Sequence, residues 1–316
     1  MRGEEKLHDD RDEIDVEIDF REINGASLVG RKGGLQDLAH LAARSNGRLR
    51  VVETDLAAED ARAALERLGT FESLFHLAAI VGVRYVCDHP YETVAVNLRT
   101  TLNVLDHAIA TRPKAVLFAS SSENYAASVE ARRAPIPTPE EVELGVADPA
   151  RPRWSYAASK IAGETAVFGA APLGGFAPVI LRFHNVYGPR MGPTHVVPEF
   201  LARCKQRVDP FPVYGPEQTR SFLHVEDAAR AVLLVETAAK RGASGVYNIG
   251  AAAEITIAEL ARIVFDVADF HPNVDARSAP RDSVGRRAPD VRKLAALGFR
   301  PTIELQDGVR ACWNAL

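Results

Sequence analysis

Tyr156 and Lys160 stand four residues apart in the segment WSYAASKIAGE (Trp154–Glu164), with small residues between them. On a helix this spacing places a phenol and an ammonium on the same face. A nearby positive charge favours the ionised phenol, so the two side chains could act as an acid–base pair on a hydroxyl group. A surface tyrosine followed by a lysine one turn later has the same spacing, so the surrounding motifs must decide between the two interpretations.

Hydroxyl and carboxylate side chains are concentrated in the segment ASSSENY (Ala119–Tyr125). This segment ends a predicted buried strand and opens into a polar loop. In an open α/β sheet, ligands bind at the carboxyl ends of the strands, so these side chains are predicted to lie at a binding edge. Farther along the chain, RSFLHVEDAA (Arg220–Ala229) places an arginine just before a helix, and an arginine is well suited to bind phosphate.

Short apolar runs alternate with helical segments before about residue 181. The predicted strands are RLRVVETDL (Arg48–Leu56), SLFHLAA (Ser73–Ala79), KAVLFASSS (Lys114–Ser122) and FAPVILRFHNVYGP (Phe176–Pro189). The predicted helices are AAEDARAALERLG, PYETVAVNLRTTLNVLDHAIA, which begins with a favourable proline, and the segment that holds Tyr156. This alternation predicts an α/β fold with a Rossmann-like doubly wound parallel sheet.

The sequence changes character after about residue 181, where stretches rich in proline and glycine surround short elements. The clearest elements there are the helix VEDAARAVLLVETAAK, the strand GVYNIG and the helix TIAELARIVFDVA, for which Thr256 is the predicted N-cap. We therefore predict a first domain at residues 1–180, to which residues 218–240 return, and a smaller, discontinuous mixed α/β domain at residues 181–316.

Composition excludes several classes of protein. The net charge of −4 and the pI of about 6.2 give no basic surface of the kind that binds nucleic acid. No apolar run approaches the ~20 residues that span a bilayer, and the acidic N-terminus does not resemble a signal peptide. Cys87, Cys204 and Cys312 are scattered and lack metal-ligand spacing. We expect a cytoplasmic protein with reduced thiols, no metal site and no membrane association.

Nine motifs in a consistent order resemble the extended short-chain dehydrogenase/reductases, specifically the NAD-dependent nucleotide-sugar epimerase/dehydratase family. They are VVETDL, FHLAA, VNLRTTLNVLDHA, ASSSENY, YAASK, RFHNVYGPRM, RSFLHVEDAA, GVYNIG and RRAPD. The resemblance runs from about Asp12 to the C-terminus. It implies an NAD-binding domain at residues 1–180, a nucleotide-sugar-binding domain at residues 181–316, and a homodimer. Each subunit would give two helices to a four-helix bundle, for which VNLRTTLNVLDHAIA and the Tyr156 helix are the candidates.

The resemblance also implies a mechanism. Tyr156 would take a proton from a sugar hydroxyl, with its pKa lowered by Lys160 and by the charge of the nicotinamide. Hydride would pass to NAD and leave a keto-sugar, while Lys160 would also hold the nicotinamide ribose. Ser121 matches the catalytic Ser/Thr of the family, which hydrogen-bonds the reacting oxygen.

Binding roles follow from the same motif matches. The residues expected at the cofactor are Asp19, Asp55, Leu56, Leu77, Ala78, Ala79, Asn97, Tyr156 and Lys160. The residues expected at the substrate are Ser121, Asn185, Val197, Tyr214, Arg220 and Arg287. Within this second set, Asn185, Arg220 and Arg287 would hold the diphosphate, whereas Val197 and Tyr214, together with Phe200, would shape the remainder of the pocket.

The glycine-rich fingerprint that normally follows the first strand of this fold is missing from its usual place. If DEIDVEIDF (Asp12–Phe20) is the second strand, Met1 falls inside the first helix and the first strand and its phosphate loop precede the sequence. Alternatively, VEIDF is the first strand and GASLVGRKGG (Gly25–Gly34) is a degenerate phosphate loop; otherwise this segment is a plain flexible loop. On the first alignment, either the sequence starts late relative to the working protein or NAD binds weakly or not at all.

Glu123 bears on the type of reaction. Dehydratases of the family have Asp and then Glu after the catalytic Thr, whereas here Ser122 and Glu123 follow Ser121, so one acid of that pair is missing. Asn124 also stands where Val is more usual. The catalytic set is predicted as Ser121, Glu123, Tyr156 and Lys160. A nucleotide-sugar epimerase is the favoured interpretation; the alternatives are a UDP-glucuronate-decarboxylase-like enzyme, a dehydratase, or a non-catalytic nucleotide-sugar-binding homologue. The identity of the nucleotide and the sugar stays open.

Overall fold

A computed structural model describes residues 16–19, 51–279 and 284–316 of the chain, which divides into two compact units, Met1–Asp55 and Leu56–Leu316. In the first unit, strand β1 (Val16–Asp19) pairs in parallel with strand β2 (Val51–Thr54), so that Asp19 lies opposite Thr54. Strands are thereby confirmed at both predicted segments. The segment Gly25–Gly34 lies outside the described residues, as does any segment that would supply the glycine-rich loop.

The second unit contains the main sheet. Its strands are β3 (Ser73–His76), β4 (Ala115–Ser121), β5 (Ala177–Phe183), β6 (Val186–Tyr187), β7 (Phe211–Tyr214), β8 (Thr219–Arg220), β9 (Leu223–His224), β10 (Gly245–Ile249), β11 (Ile255–Thr256), β12 (Val274–Arg277) and β13 (Arg286–Arg287). Four of them form a parallel sheet in the order β10-β5-β4-β3. The smaller pairings are β11-β8-β13, β12-β7 and β6-β9.

Helices cover this sheet. They are α1 (Ala61–Glu66), α2 (Val83–Asp88), α3 (Pro90–Thr111), α4 (Ala126–Glu130), α5 (Trp154–Gly174), α6 (Val196–Lys205), α7 (Val225–Ala239), α8 (Ile257–Ala268), α9 (Arg292–Ala296) and α10 (Leu305–Asn314). A short 3₁₀ turn (Ser122–Tyr125) follows β4 directly. Helix α3 begins at Pro90, as the sequence predicts, because a proline at the first helical position loses no helical hydrogen bond.

Both faces of the main sheet are buried. On β4, Val116 and Phe118 pack with α3 and α5, whereas Ala115 and Leu117 pack with α7. Successive side chains of a strand point to opposite faces, so burial of all four requires helices on both sides. The α/β fold with a Rossmann-like doubly wound parallel sheet is therefore confirmed.

Helix α5, which carries Tyr156 and Lys160, lies unusually close to strand β4. A Cβ atom on Gly163 would come within 2.5 Å of the Phe118 ring, so only a glycine allows this approach. On the neighbouring helix α3, the Asn97 Nδ2 group donates a hydrogen bond to Ser159 Oγ over 3.1 Å. These contacts fix the position of α5 against the sheet and against α3.

A second apolar core lies in the C-terminal part, where α6, α8 and α10 pack around β7. Helix α8 begins with a capping box, in which the Thr256 side chain accepts from the Glu259 amide and the Glu259 carboxylate accepts from the Thr256 amide. The predicted N-cap is confirmed. The proposed domain boundary stays a prediction; residue 181 lies inside β5, and β10, from beyond that boundary, pairs with β5.

Within the described ranges, no helix is long and apolar enough to cross a membrane.

Candidate active site

The end of strand β4 brings Ser121, Glu123 and Tyr156 together. The Ser121 hydroxyl accepts a hydrogen bond from the Glu123 amide over 3.2 Å and is also hydrogen-bonded to the Tyr156 phenol. Burial raises the pKa of Tyr156 to about 12; the bond with Ser121 acts in the opposite direction, and the Glu123 charge adds to the rise. The protein by itself therefore shifts this pKa upward, opposite to the expected direction, because desolvation outweighs the hydrogen bond.

Lys160 lies one helical turn beyond Tyr156 and is only 3% exposed. Its Nζ atom donates to the Ala119 carbonyl over 2.7 Å, lies 4.8 Å from the centre of the Phe118 ring and 5.9 Å from the centre of the Tyr156 ring. Burial lowers the pKa of Lys160 to about 7, and the nearby Glu164 charge opposes that shift. The predicted pair is thus on one face of a helix, at the carboxyl end of β4.

Arginines surround the Glu123 carboxylate. Arg287 donates to Oε1 over 2.8 Å, and Arg153 lies 3.7 Å from Oε2. Burial alone would raise the pKa of Glu123, but Arg287, Arg153 and Arg220 together outweigh it and the pKa is lowered. Glu123 is therefore a carboxylate at neutral pH and carries no proton to donate.

Arg220 and Arg287 are register partners in the parallel strands β8 and β13. The pKa of Arg220 is lowered to about 10, first by burial and then by the charge of Arg287, against the pull of Glu123 and Glu254. Two guanidinium groups held side by side leave a positive excess where a diphosphate could bind bidentately. The two predicted diphosphate residues are brought together, although they lie far apart in the sequence.

Asn185 links this pair of arginines to the main sheet. It has a left-handed backbone, with φ of 39°, a conformation that asparagine tolerates better than most residues. Its Nδ2 group donates to the Ser221 carbonyl over 3.0 Å, next to Arg220. Asn185 thereby holds the segment that carries the arginine, and a direct contact with a diphosphate stays a prediction.

The residues predicted to shape the rest of the pocket have different environments. Val197 and Phe200 belong to the C-terminal apolar core and are 1% and 3% exposed. Tyr214 is exposed at the end of β7, where its hydroxyl accepts from Arg277 over 2.9 Å. Core packing explains the apolar character of the first two, so their predicted role as a pocket wall has no support from exposure.

The predicted cofactor residues of the second unit lie on two segments. Leu77, Ala78 and Ala79 follow the carboxyl end of β3, and the Leu77 side chain is 58% exposed. Asn97 is buried and holds this segment, because Oδ1 accepts from the Ile80 amide over 2.7 Å.

Leu56 is buried among Leu65 and Val104, so its side chain serves the core. Asp55 and Asp19 belong to the first unit.

Within the described part of the chain, the Lys160 ammonium makes one hydrogen bond, to Ala119, and has two further N–H donors. A buried ammonium with unused donors at the carboxyl end of β4 fits a ribose with its hydroxyl acceptors, so Lys160 suits a bound NAD. The Asn97 side chain is engaged with Ile80 and Ser159, and a direct contact of Asn97 with NAD stays a prediction.

A buried polar network beneath the site was not predicted. The Glu164 carboxylate accepts from Ser120, from Asn124 over 2.8 Å, and from Arg182, whose Nε and Nη2 atoms lie 2.9 and 2.6 Å from its two oxygens. Arg182 and Glu164 are 3% and 4% exposed. Charged residues inside the apolar stretches VILRF and KIAGETAVF were the available signal, because a buried charge needs a partner.

The network continues towards Arg287. Arg182 donates to the Tyr125 hydroxyl over 2.8 Å, and Tyr125 donates to Asn248 Oδ1 over 2.8 Å. The Asn248 amide group donates to the carbonyls of Thr138 and Asp290, each over 3.0 Å. The polar chain therefore reaches from the Tyr156 helix to the segment that carries Arg287.

Comparison with known proteins shows the family of this chain. The model of the NAD dependent epimerase/dehydratase family matches residues 28–250, more than half of the chain. The chain belongs to the NAD dependent epimerase/dehydratase family. It is a family of enzymes, and the predicted resemblance is confirmed.

Individual relatives within the epimerase/dehydratase family differ in reaction. The chain is 32% identical over 258 residues to a UDP-N-acetyl-alpha-D-glucosaminuronate decarboxylase of Bacillus cytotoxicus. The aligned region covers 78% of this chain and 76% of that protein. Two further relatives are the UDP-glucuronic acid decarboxylases 1 and 2 of Arabidopsis thaliana, and the chain spans 60% and 52% of their lengths. The family therefore includes enzymes that remove a carboxyl group.

Solved structures of the epimerase/dehydratase family show the same fold. A UDP-N-acetylglucosamine 4-epimerase of Methanobrevibacter ruminantium M1, in complex with UDP-N-acetylmuramic acid, has a TM-score of 0.73 at 25% identity, covering 85% of this chain and 83% of that chain. MoeE5, in complex with UDP-glucuronic acid and NAD, has a TM-score of 0.73 at 26% identity, covering 89% and 94%. Nucleotide-sugars are the ligands in both structures.

Proposed function

We propose that this chain is an NAD-dependent decarboxylase of a nucleotide-linked uronic sugar. The observation that carries the proposal is the state of Glu123, a carboxylate enclosed by Arg287, Arg153 and Arg220 beside the hydroxyls of Ser121 and Tyr156. Loss of water from a sugar would need a proton donor for the departing hydroxyl, and Glu123 has no proton at neutral pH. Loss of CO₂ from a β-keto acid needs no such donor, so this site suits decarboxylation better than dehydration.

The residues divide the chemistry as follows. Tyr156 takes the proton of the sugar hydroxyl as that carbon is oxidised, while Ser121 hydrogen-bonds the same oxygen. Lys160 would hold the ribose of NAD, and NAD, when bound, would supply the hydride acceptor and donor and a positive charge that lowers the pKa of Tyr156. In a uronic sugar the new ketone lies β to the carboxylate. The bond to the carboxyl carbon breaks, CO₂ leaves, and the electron pair moves to the ketone oxygen, which Ser121 and Tyr156 stabilise. A proton from water then takes the place of CO₂ on that carbon, which restores the ketone, and Tyr156 returns its proton to the oxygen when the ketone is reduced.

Arginines supply the binding energy for an anionic substrate. Arg220 and Arg287 are adjacent in register and present guanidinium groups suited to a diphosphate. Arg153 lies near the opposite oxygen of Glu123, where a second anionic group of the substrate would meet a positive charge. A nucleotide-linked uronate carries both kinds of anion, in keeping with the decarboxylase relative and with the uronate-bound neighbour structure.

A nucleotide-sugar 4-epimerase is the second candidate, and it was the favoured interpretation of the sequence. Epimerisation through a keto-sugar needs a base and a hydroxyl donor at one oxygen, and Tyr156 with Ser121 supply both. Epimerisation does not require the carboxylic acid that dehydratases carry at the position of Ser122. The 4-epimerase among the neighbouring structures supports this candidate.

One experiment separates the two candidates. Purified protein is incubated with NAD and, in separate reactions, UDP-glucuronate, UDP-N-acetylglucosaminuronate, UDP-glucose and UDP-N-acetylglucosamine; released CO₂ and product masses are measured. Decarboxylation gives CO₂ and a nucleotide-pentose from a uronate. A product of unchanged mass but altered retention, with no CO₂ from any uronate, would overturn the proposal in favour of the epimerase.

Tyr156→Phe is the matched control for this assay, since it removes only the hydroxyl of a half-buried side chain. We expect the turnover rate to fall by about 10²–10⁴-fold, the usual contribution of a general acid–base group, while the melting temperature stays within a few degrees. Turnover by Tyr156→Phe close to that of the unaltered protein would exclude the proposed base. A homodimer and a cytoplasmic location complete the proposal.

A further inference from the structure

The Glu164 carboxylate accepts hydrogen bonds from both ends of the segment Ser120–Asn124, called the catalytic turn below. It binds Ser120, directly before Ser121, and Asn124, directly after Glu123. Arg182 on strand β5 holds the same carboxylate through two parallel hydrogen bonds, a geometry that fixes its orientation. Glu164 itself lies on helix α5, one turn beyond Lys160. One buried carboxylate therefore connects the Tyr156–Lys160 helix to the turn that carries Ser121 and Glu123.

Asn124 makes this connection at a cost in stability. It is fully buried, and its Oδ1 atom has no hydrogen-bond partner among residues 51–279 and 284–316. An unpartnered buried carbonyl costs about 1–3 kcal/mol. The two hydrogen bonds of its Nδ2 group, to Ser120 over 3.0 Å and to Glu164 over 2.8 Å, offset that cost only in part. An apolar residue of similar size would fill the same space without the cost of an unpartnered carbonyl.

From this geometry we propose that Glu164 and Asn124 are positioning residues, which set the location of Ser121 and Glu123 relative to Tyr156 and Lys160. Asn124 is 0% and Glu164 4% exposed, so we assign neither of them a contact with the reacting sugar or with NAD. Their effect passes through the turn and through the helix. The inference deepens the proposed function, because it names residues that align the groups of the same site.

The charge of Glu164 also acts on Lys160 along the helix. Lys160 is faced by Glu164 and Tyr156 from its own helix, by the Phe118 ring and the Ala119 carbonyl from β4, and by His76 from β3. Burial lowers the pKa of His76 to about 3, so this histidine is neutral near pH 7. Glu164 is therefore the anion that favours the protonated form of Lys160.

The first test needs neither NAD nor sugar. Protein labelled with ¹³C at the lysine ε-carbon is titrated by NMR, and the Lys160 signal is assigned by its loss in Lys160→Met. We expect Lys160 to titrate near pH 7 in the unaltered protein and about one pH unit lower in Glu164→Gln, because an opposite charge has been removed. Glu72→Gln is the control, since it removes an exposed carboxylate with two lysine partners and should leave Lys160 unchanged.

The second test uses Asn124→Val, which leaves the Glu164–Arg182 pair intact and so avoids an unpaired buried charge. We expect its melting temperature to stay within a few degrees, its kcat to fall about tenfold and its KM to change less than about threefold, because the turn loses alignment rather than substrate contacts. A residue with a merely structural role would change the melting temperature and leave kcat unaltered.

The outcomes separate this inference from the proposed function. If the unaltered protein turns over none of the four nucleotide-sugars, the proposed function fails, and the lysine titration still decides on Glu164. An unchanged Lys160 titration in folded Glu164→Gln would overturn the effect of Glu164 on Lys160. An unchanged kcat in Asn124→Val would overturn the positioning role. If Glu164→Gln does not fold, Ser120→Ala, which removes the other hydrogen bond from the turn to Glu164, is added to the kinetic test. We expect the same loss of kcat as for Asn124→Val, and an unchanged kcat would again contradict the positioning role.

Discussion

Charge balance around Glu123 decides much of the chemistry at the level of single residues. One carboxylate stands among three guanidinium groups, two of which, on Arg220 and Arg287, are neighbours in register. Like charges this close repel, and Glu123 relieves that repulsion. The Glu123 carboxylate therefore stabilises the arrangement of the arginines, in addition to lying beside the hydroxyls of Ser121 and Tyr156.

Glu123→Gln should reveal this effect through the pH dependence of stability. The pKa of Glu123 is lowered in the folded protein, so its charge stabilises the fold above the ordinary value of 4.5 and this contribution is lost as the pH falls through the folded pKa. We expect Glu123→Gln to melt a few degrees below the unaltered protein at pH 7. The difference should shrink steadily below pH 4.5.

Thermal unfolding measured from pH 7 to pH 3.5 checks this prediction, provided that both proteins refold. Glu59→Gln, a change at an exposed glutamate, is the control and should track the unaltered protein throughout. A melting temperature of Glu123→Gln equal to that of the unaltered protein at pH 7 would show that the arginines do not need this carboxylate.

Residue types and spacing indicated the Tyr156–Lys160 pair and the polar strand end Ala119–Tyr125, because both are local patterns. The catalytic roles of Ser121 and Glu123 came from the family resemblance and stay predictions. The pairing of Glu164 with Arg182 could not be predicted from a local pattern. The two residues meet across 18 positions of sequence and act through a network, not through a motif. Val197 and Phe200 show a further limit of residue type, since an apolar side chain suits a core and a pocket equally well.

The approach of helix α5 to strand β4 is the critical contact at the level of elements. Gly163 lies between Lys160 and Glu164 in sequence, and its missing side chain lets the Phe118 ring lie directly against the helix. The same ring lies beside the Lys160 ammonium. Displacement of the helix would therefore move both the cation and the buried carboxylate.

Gly163→Ala should destabilise the protein and lower activity together. The added methyl group would lie 2.5 Å from the ring, and relief of such overpacking costs about 1–3 kcal/mol, more than the ~1 kcal/mol that alanine gains over glycine in a helix. Gly169→Ala on the same helix is the matched control, because nothing lies within 4 Å of its added Cβ. Thermal unfolding and kcat are measured for both.

We expect Gly169→Ala to be as stable as the unaltered protein or slightly more so, with normal kcat. A stable and fully active Gly163→Ala would mean that the Phe118 ring moves aside freely and that the close approach is not needed for the site.

Elements with several turns or several alternating residues were predictable, and the shortest ones were not. Pro90 and Thr256 marked helix starts that the structure confirms. Strands β8 and β13 contain two residues each, too few for any alternation to show. These two strands nevertheless place Arg220 beside Arg287, so the arrangement of the predicted diphosphate site depended on pairing that no local pattern contains.

At the level of the whole molecule, polar connections join parts of the chain that the sequence keeps far apart. Asn248 on β10 binds Tyr125, which follows the catalytic turn, and the carbonyls of Thr138 and Asp290. Buried polar groups with full partners rigidify a core, because breaking any one contact leaves the others unsatisfied. The network gives the arginine-bearing segment a fixed position relative to the Tyr156 helix.

The outer surfaces of helices α3 and α5 are apolar to an extent that favours association. Leu102 on α3 and Phe168 and Leu173 on α5 are 52%, 40% and 64% exposed, and the two helices pack against each other. Large apolar side chains left exposed on neighbouring elements can mark an interface between proteins. The family resemblance predicts that a second copy of the chain covers this surface.

Leu102→Glu combined with Phe168→Glu should therefore convert a dimer into a monomer, because two carboxylates per subunit would have to lose water at the contact. Leu233→Glu is the matched control: Leu233 is 58% exposed, but it lies on α7, on the opposite side of the main sheet from α3 and α5. Molar mass measured by light scattering after gel filtration should give a dimer for the unaltered protein and for Leu233→Glu, and a monomer for the double variant. A dimer that persists in the double variant would place the contact on another surface, and a monomeric unaltered protein would refute the homodimer itself.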